Sequence, residues 1–379
     1  VAAAAGLTRW LGTRWRRFDG PSRQAGVDLA RGLAVAGMLA AHLLVIDAFT
    51  WSDPETWVDV VNGRSSILFA TLAGVSIALV TGGSRPFRGE RRARASGRIA
   101  LRGALLWVIG VLLVGTGVPV YVILPAYAIL FVLSLPFLGL RTRTLFLLAA
   151  AVGVLMPFPQ ALWDAAPFWF TPEGDAVAAA TGWHYPFPVW IAFLLAGMGI
   201  GRSDLRSART AAALLGTGAG LAVLGYGVAA LSGVGEAEEG LSIAAAVWTA
   251  RAHSTGVLEV VGSGGFALAV IGLCLLICRT PLRWAAIPLR AVGSMPLTAY
   301  TAQIVAWAWI SASVLGTTRD LSGFRALEPF WPMTLWLTAA CTAWALVVGR
   351  GPLEGVIARL AAWVVREPGA REAVDRLVP

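Results

Sequence analysis

Lysine is missing altogether: all thirty basic residues of the 379-residue chain are arginine. Charge of either sign is scarce as well, at 13% of residues against 57% hydrophobic. With a mean hydropathy of +0.72, that shortage leaves no room for a soluble domain and places the chain among polytopic membrane proteins. Cysteine is rare too, and Cys274, Cys278 and Cys341 all fall inside apolar runs. The Cys274/Cys278 pair has helical spacing but no histidine or carboxylate beside it, so the thiols read as small buried residues and no metal is expected. No repeat of fixed period is visible, and one domain over residues 1–379 is the simplest organisation.

Apolar sequence is what the chain has in surplus. Runs long enough to cross a ~30 Å hydrocarbon core, roughly 20 residues each, occur near 27–49, 64–82, 98–117, 119–138, 144–158, 187–201, 210–231, 256–278, 291–315 and 331–349. The expected fold is an all-α polytopic integral membrane protein with about ten transmembrane helices. Pro125, Pro136 and Pro188 in the fourth and sixth runs predict kinks or half-helices.

The arginines gather in alternate loops: Arg9 to Arg23, Arg85 to Arg102, Arg141 and Arg143, Arg202 to Arg209, Arg279 to Arg290, and Arg350 onward. The opposite loops hold Asp53, Glu55, Asp59, Asp164, Glu173, Asp175 and Glu328. The positive-inside rule then puts both termini in the cytoplasm and the protein in the cytoplasmic membrane. Residues 1–26 become an interfacial arm, mixing Trp and Arg in "TRWLGTRWRRF", and 350–379 an amphipathic tail on the same face. The net charge of +9 is mostly this topology signal. It suits an anionic leaflet, so the lipid bilayer is an expected partner and nucleic acid is not.

Ionisable groups inside apolar runs are costly, which makes each a candidate for function. The first run, "DLARGLAVAGMLAAHLL" at 28–44, contains three. At about 100° per residue the step from Arg31 to His42 is close to three full turns, so both share a face that Asp28 joins. His42 lies ~21 Å along the helix from Asp28, toward the outer side. A structural Asp28–Arg31 pair and a hydrogen-bonded core histidine would also satisfy the pattern.

His184 in "GWHYPFP" and His253 in "ARAHSTGVLEVVGSGG" fall on the same outer side. Glu259 follows His253 by six residues. Histidine serves as a general base near neutrality when a carboxylate such as Glu259 or Asp47 fixes its tautomer. His184 reads as an interfacial residue. Arg64 and Ser65 open the second run in "NGRSSILFATLAGVS" and are candidates for substrate binding. Three classes accommodate these groups: an enzyme, a secondary transporter or lipid flippase using Asp28, Arg31 and His42 as a relay, and a membrane scaffold.

A family resemblance favours the enzyme. "VDLARGLAVAGMLAAH", with Arg31 and then His42, resembles the first-span motif of acyltransferase family three. "GRSSILFATLAGVSIAL" at 63–79, "AVGSMPLTAYTAQ" at 291–303 and "GRGPLEGVIARL" at 349–360 resemble YeiB-type proteins and the heparan-α-glucosaminide N-acetyltransferase group of the same transmembrane acyltransferase superfamily. The loop "TWSDPETWVDVVNG" lacks the histidine that the glucosaminide group carries there, and Val122 stands where YeiB-type chains often have Asp.

The resemblance implies acyl transfer from a cytoplasmic acyl-CoA, acetyl-CoA first, to an extracytoplasmic glycan or glycolipid, and makes Arg31 and His42 functional. Arg91, Arg92, Arg94, Arg98 and Arg102 in and after "RPFRGERRARASGR" would then meet the phosphates of coenzyme A. Asp28 and Arg31 would sit near the cytoplasmic mouth, His253 and Glu259 would assist His42, and Tyr300 and Gln303 would line the passage. A homodimer is one assembly open to such a chain.

Overall fold

A computed structural model describes residues 15, 18–20, 23–233 and 242–365; the expected basic arm before residue 15 and the tail after 365 lie outside the described residues. Among the described residues every regular element is helical. In chain order these are α1 (Ala25–Leu43), α2 (Arg64–Val80), α3 (Gly89–Val114), α4 (Leu124–Leu133), α5 (Thr142–Leu155), α6 (Pro157–Asp164), α7 (Pro172–Thr181), α8 (Phe187–Arg202) and α9 (Ala208–Ser232). They continue with α10 (Ile243–Trp248), α11 (Val257–Ile277), α12 (Leu282–Ala285), α13 (Ile287–Ser294), α14 (Pro296–Leu315), α15 (Leu321–Ala326), α16 (Phe330–Val347) and α17 (Pro352–Val364).

Six helical stretches are long and apolar enough to cross a membrane: α1, Pro54–Val80 with α2 as its main part, α3, α9, α11 and α16. The α5–α6 pair, bent by 42°, makes a seventh if counted as one span. α4 and α8 are apolar but only 10 and 16 residues long. The prolines explain part of the difference from ten uniform spans. Pro125 and Pro188 stand in the first turns of α4 and α8, where a missing N–H costs nothing, and Pro136 opens a 3-10 turn over Leu135–Gly139. They start helices, and the expected kink in the sixth run is replaced by a clean helix start.

α1 is the hub, packed against α2, α11 and α13, while α2 lies along α8, α8 against α5, and α9 against α11. Small residues let these backbones touch. A Cβ on Gly293 of α13 would collide with the Asp28 carbonyl oxygen, and one on Gly32 with the Leu289 carbonyl. Gly74 and Gly197 bring α2 and α8 together in the same way. The outward faces of α3, α9 and α16 expose Leu112, Val223, Leu231 and Trp331. That pattern, buried small residues and exposed large apolar ones, is stable where the surrounding medium is hydrocarbon.

Two arginines from the loop clusters are fully inside. Arg202 at the end of α8 is 3% exposed and donates to the carbonyls of Ala78, Gly83 and Leu138 and to Thr81 Oγ1. It thereby satisfies the open carbonyl end of α2. Arg290 of α13 is 1% exposed and pairs with Asp19.

Candidate active site

A cavity of about 1470 Å³ opens at the end of the bundle where α1, α3 and α17 meet. Seven arginines line it, Arg23, Arg31, Arg91, Arg94, Arg98, Arg102 and Arg350, with Glu354 the one acid among the lining residues. The helical repeat explains the α3 set: residues three and four apart share a face, so 91, 94, 98 and 102 form one stripe. Arg92 falls outside that stripe. It donates instead to the Pro136 carbonyl at 3.0 Å, and the fold does not bring it to the cavity with the other arginines expected to meet the same ligand. Phe18, Leu79, Val80 and Ile99 supply apolar wall. Guanidinium forks around a space of this size suit a ligand bearing several phosphates.

At the edge of the cavity Asp28 is 4% exposed and accepts from Arg23 Nε and Nη2 at 3.0 and 2.7 Å and from Arg31 Nη1 at 3.0 Å. Arg31 Nη2 reaches across to Ser76 Oγ on α2 at 2.7 Å. Asp28 and Arg31 are therefore partners, as the spacing of three residues allowed, and Arg31 also faces the cavity. Arg23 has no distinguishing local signal, whereas Ser76 and Arg350 lie in the stretches "GRSSILFATLAGVSIAL" and "GRGPLEGVIARL" that carry the resemblance; the sequence assigns Arg23 and Arg350 to topology alone.

Glu354 shares the second of these. It belongs to the stretch "GRGPLEGVIARL", and its carboxylate accepts from Leu297 N, Thr298 N and Thr298 Oγ1 at the start of α14. Two of the stretches that carry the resemblance are thus bound to each other.

His42 stands at the other end of α1. Its carbonyl accepts from Arg325 Nε and Nη2 of α15 at 3.0 and 2.9 Å, and its imidazole makes no hydrogen bond among the described residues. His253 lies within electrostatic reach of His42, and His184 within reach of His253. The Tyr185 ring is 6.3 Å from that of His253, and Tyr121 stacks on His184 at 3.6 Å. The fold therefore gathers the three histidines at one end, as their placement in the sequence suggests. Burial in the loop holds His253 and His184 below the ordinary histidine value of 6.5, with His184 as a further cause at His253.

Glu259 has a different task from fixing an imidazole tautomer. Its carboxylate, 2% exposed, accepts from His253 N at 2.7 Å, Thr255 N at 2.6 Å and Ser254 Oγ at 3.1 Å. His253 and Thr255 both have positive φ, at 66° and 56°, a conformation side chains rarely adopt. Glu259 holds this strained loop together through its backbone. Asp47 is exposed in the segment after α1.

The remaining candidates are scattered. Arg64 donates to Tyr226 Oη at 2.8 Å and to the Asp59 carbonyl at 2.9 Å, with its guanidinium 4.6 Å above the Tyr226 ring. Ser65 is buried where α2 crosses Gly37 of α1. Tyr300 and Gln303 are buried on α14, and Tyr300 Oη accepts from Ile123 N at 3.2 Å. Among the described residues no cluster of three or more His, Cys, Asp or Glu could hold a metal ion.

Comparison with known proteins bears on this two-ended arrangement. Residues 23–227 match the family model described as heparan-α-glucosaminide N-acetyltransferase, catalytic. No curated protein matches the chain. The matched segment is more than half of the sequence and takes in Asp28, Arg31, His42 and the α3 arginines, while His253, Glu259, Tyr300 and Gln303 lie beyond it. The chain belongs to the heparan-α-glucosaminide N-acetyltransferase-like group of transmembrane acyltransferases, a family of acetyltransferase enzymes.

Proposed function

We propose that the protein transfers an acyl group, acetyl in the first instance, from acyl-CoA at the arginine cavity to a sugar or glycolipid at the histidine end. The observation that carries this reading is that α1 joins the two: Arg31 lines the cavity, and His42 stands eleven residues farther on, ~16 Å along the same helix. In this reading the arginine end faces the cytoplasm with both termini, the chain makes ten crossings of the cytoplasmic membrane, and the acceptor comes from outside.

The chemistry assigned to His42 is proton transfer or acyl relay. As general base its imidazole takes the proton from the acceptor hydroxyl or amine while that atom attacks the thioester carbonyl, and the thiolate of coenzyme A leaves. As relay the imidazole attacks first, releases the thiolate and hands the acyl group to the acceptor. Arg23, Arg91, Arg94 and Arg350 hold the donor's phosphates. Glu259 sets the loop that brings His253 beside His42.

The test is acetyl-CoA binding and hydrolysis by the purified protein, wild type beside His42→Ala, with thermal stability followed in parallel. Saturable binding in both, and slow release of free coenzyme A by wild type alone, is the expected result. A burst of coenzyme A without acceptor favours the relay over the base. Failure of folded wild type to bind any short-chain acyl-CoA overturns the reading.

A further inference from the structure

α14 buries three polar atoms that have no partner among the described residues, Thr301 Oγ1, Gln303 Oε1 and Trp307 Nε1, of which the last two share one face between the cavity and His42. Gln303 and Trp307 are only 3% and 2% exposed. An acceptor and a donor left bare inside a bundle are each costly, and in a native protein such groups call for an explanation.

Their place along the helix supplies one. α14 starts at the cavity, where Ser294 and Pro296 form part of the lining. Gln303 follows Pro296 by seven residues, ~10 Å, and Trp307 by eleven, ~16 Å. At the far end the Trp307 ring stacks on Phe324 at 4.9 Å, and the next residue, Arg325, donates to the His42 carbonyl. α14 also packs against α1. The face bearing both bare atoms therefore runs from the arginine cavity to His42.

We propose that Gln303 and Trp307 bind the amide-bearing arm of the acyl donor and guide its thioester toward His42. This deepens the acyl-CoA reading above and rests on it. The arm of coenzyme A carries two secondary amides, two methylenes apart, each with one N–H and one C=O. The two side chains are one helical turn apart, ~6 Å along the axis. Gln303 Oε1 accepts the N–H of one amide, and Trp307 Nε1 donates to the carbonyl of the other. A hydrocarbon chain would satisfy neither atom. With the phosphates held by the arginines, the arm lies along α14.

The experiment compares acetyl-CoA with adenosine 3′,5′-bisphosphate, which has the phosphates but no arm, by equilibrium binding to detergent-purified full-length chain. Trp307→Phe keeps an aromatic ring against Phe324 and removes the N–H together with part of the indole; Gln303→Met keeps length and removes the acceptor. Each should weaken acetyl-CoA roughly tenfold and leave the bisphosphate unchanged, in protein whose Tm stays well above the assay temperature. Acetyl-CoA affinity within about twofold of wild type, or an equal loss for both ligands, overturns the assignment. A wild type that binds neither ligand overturns the acyl-CoA reading itself. One measurement needs no variant: a donor whose arm amides are replaced by esters keeps its carbonyls but loses its N–H groups. It should bind wild type roughly tenfold more weakly, and equal affinity would remove Gln303 from the proposal.

Discussion

Asp28 holds two guanidiniums at once while almost wholly buried, and that makes it the residue whose charge matters most at the cavity edge. Asp28→Asn keeps the shape and removes the charge, leaving Arg31 beside Ser76 without its counter-ion. Because Arg23 and Arg31 stay partly exposed, the expected loss is roughly 2–3 kcal/mol, at the lower edge of what breaking a buried pair costs. Thermal unfolding in detergent measures it, and an unchanged Tm would show that the pair is dispensable. His253 gives a pH signature. Its folded-state value lies below the ordinary 6.5, chiefly through burial. Below that pH the unfolded chain binds the extra proton first, so its stabilisation is complete above about 6.5 and is lost as the pH falls. His253→Gln should therefore flatten the fall in Tm between about pH 6.5 and 5 relative to wild type. At this scale the sequence was informative where charge stood out against apolar surroundings, as at Asp28, Arg31 and His42. It could not separate the arginines that only set topology from Arg202 and Arg290, which are inside, because burial depends on which loop folds back over them.

Helix α9 contains an internal control for the packing argument. A Cβ on Gly218 would press on the α11 backbone at Ala269, whereas Gly220, two residues on, has open space around it. Gly218→Ala should push α9 from α11 and cost roughly 1–3 kcal/mol of stability as overpacking does, read as a lower Tm. Gly220→Ala should be neutral or stabilising by up to about 1 kcal/mol, since it only removes a helix-weakening glycine. Equal behaviour of the two would refute close contact between α9 and α11. Helix existence was legible from hydropathy alone: each of the ten apolar runs contains helix, though six stretches are long and apolar enough to span. Lengths were not. α4 stops after ten residues in a 3-10 turn, and α5 and α6 meet at a 42° bend ahead of Pro157 and Pro159, features that composition averages away. Nor could periodicity reveal that Glu354 reaches back to seat α14, a contact between residues more than fifty positions apart.

Across the whole molecule the arginine cavity and the histidine cluster are separate charge environments joined by α1 and α14. On the proposed reading, that separation makes donor binding and acyl transfer independently adjustable. On that reading donor affinity comes largely from guanidiniums facing phosphates, and several of the lining arginines, including Arg91 and Arg350, are on the exposed rim of the cavity. Such attraction is screened: the Debye length shortens from about 10 Å at 0.1 M salt to about 3 Å at 1 M. Acetyl-CoA affinity should therefore fall as salt is raised. Arg91→Gln combined with Arg350→Gln should weaken it at low salt and make it less salt-sensitive, because the charges most exposed to screening are gone. His42→Ala, remote from the cavity, should keep both the affinity and the full salt dependence of wild type while losing turnover. Binding titrations of the three proteins across ionic strength measure this. If the double variant retained wild-type affinity at low salt, the cavity would not be the phosphate site; if His42→Ala lost binding as well, the two ends would not be separate.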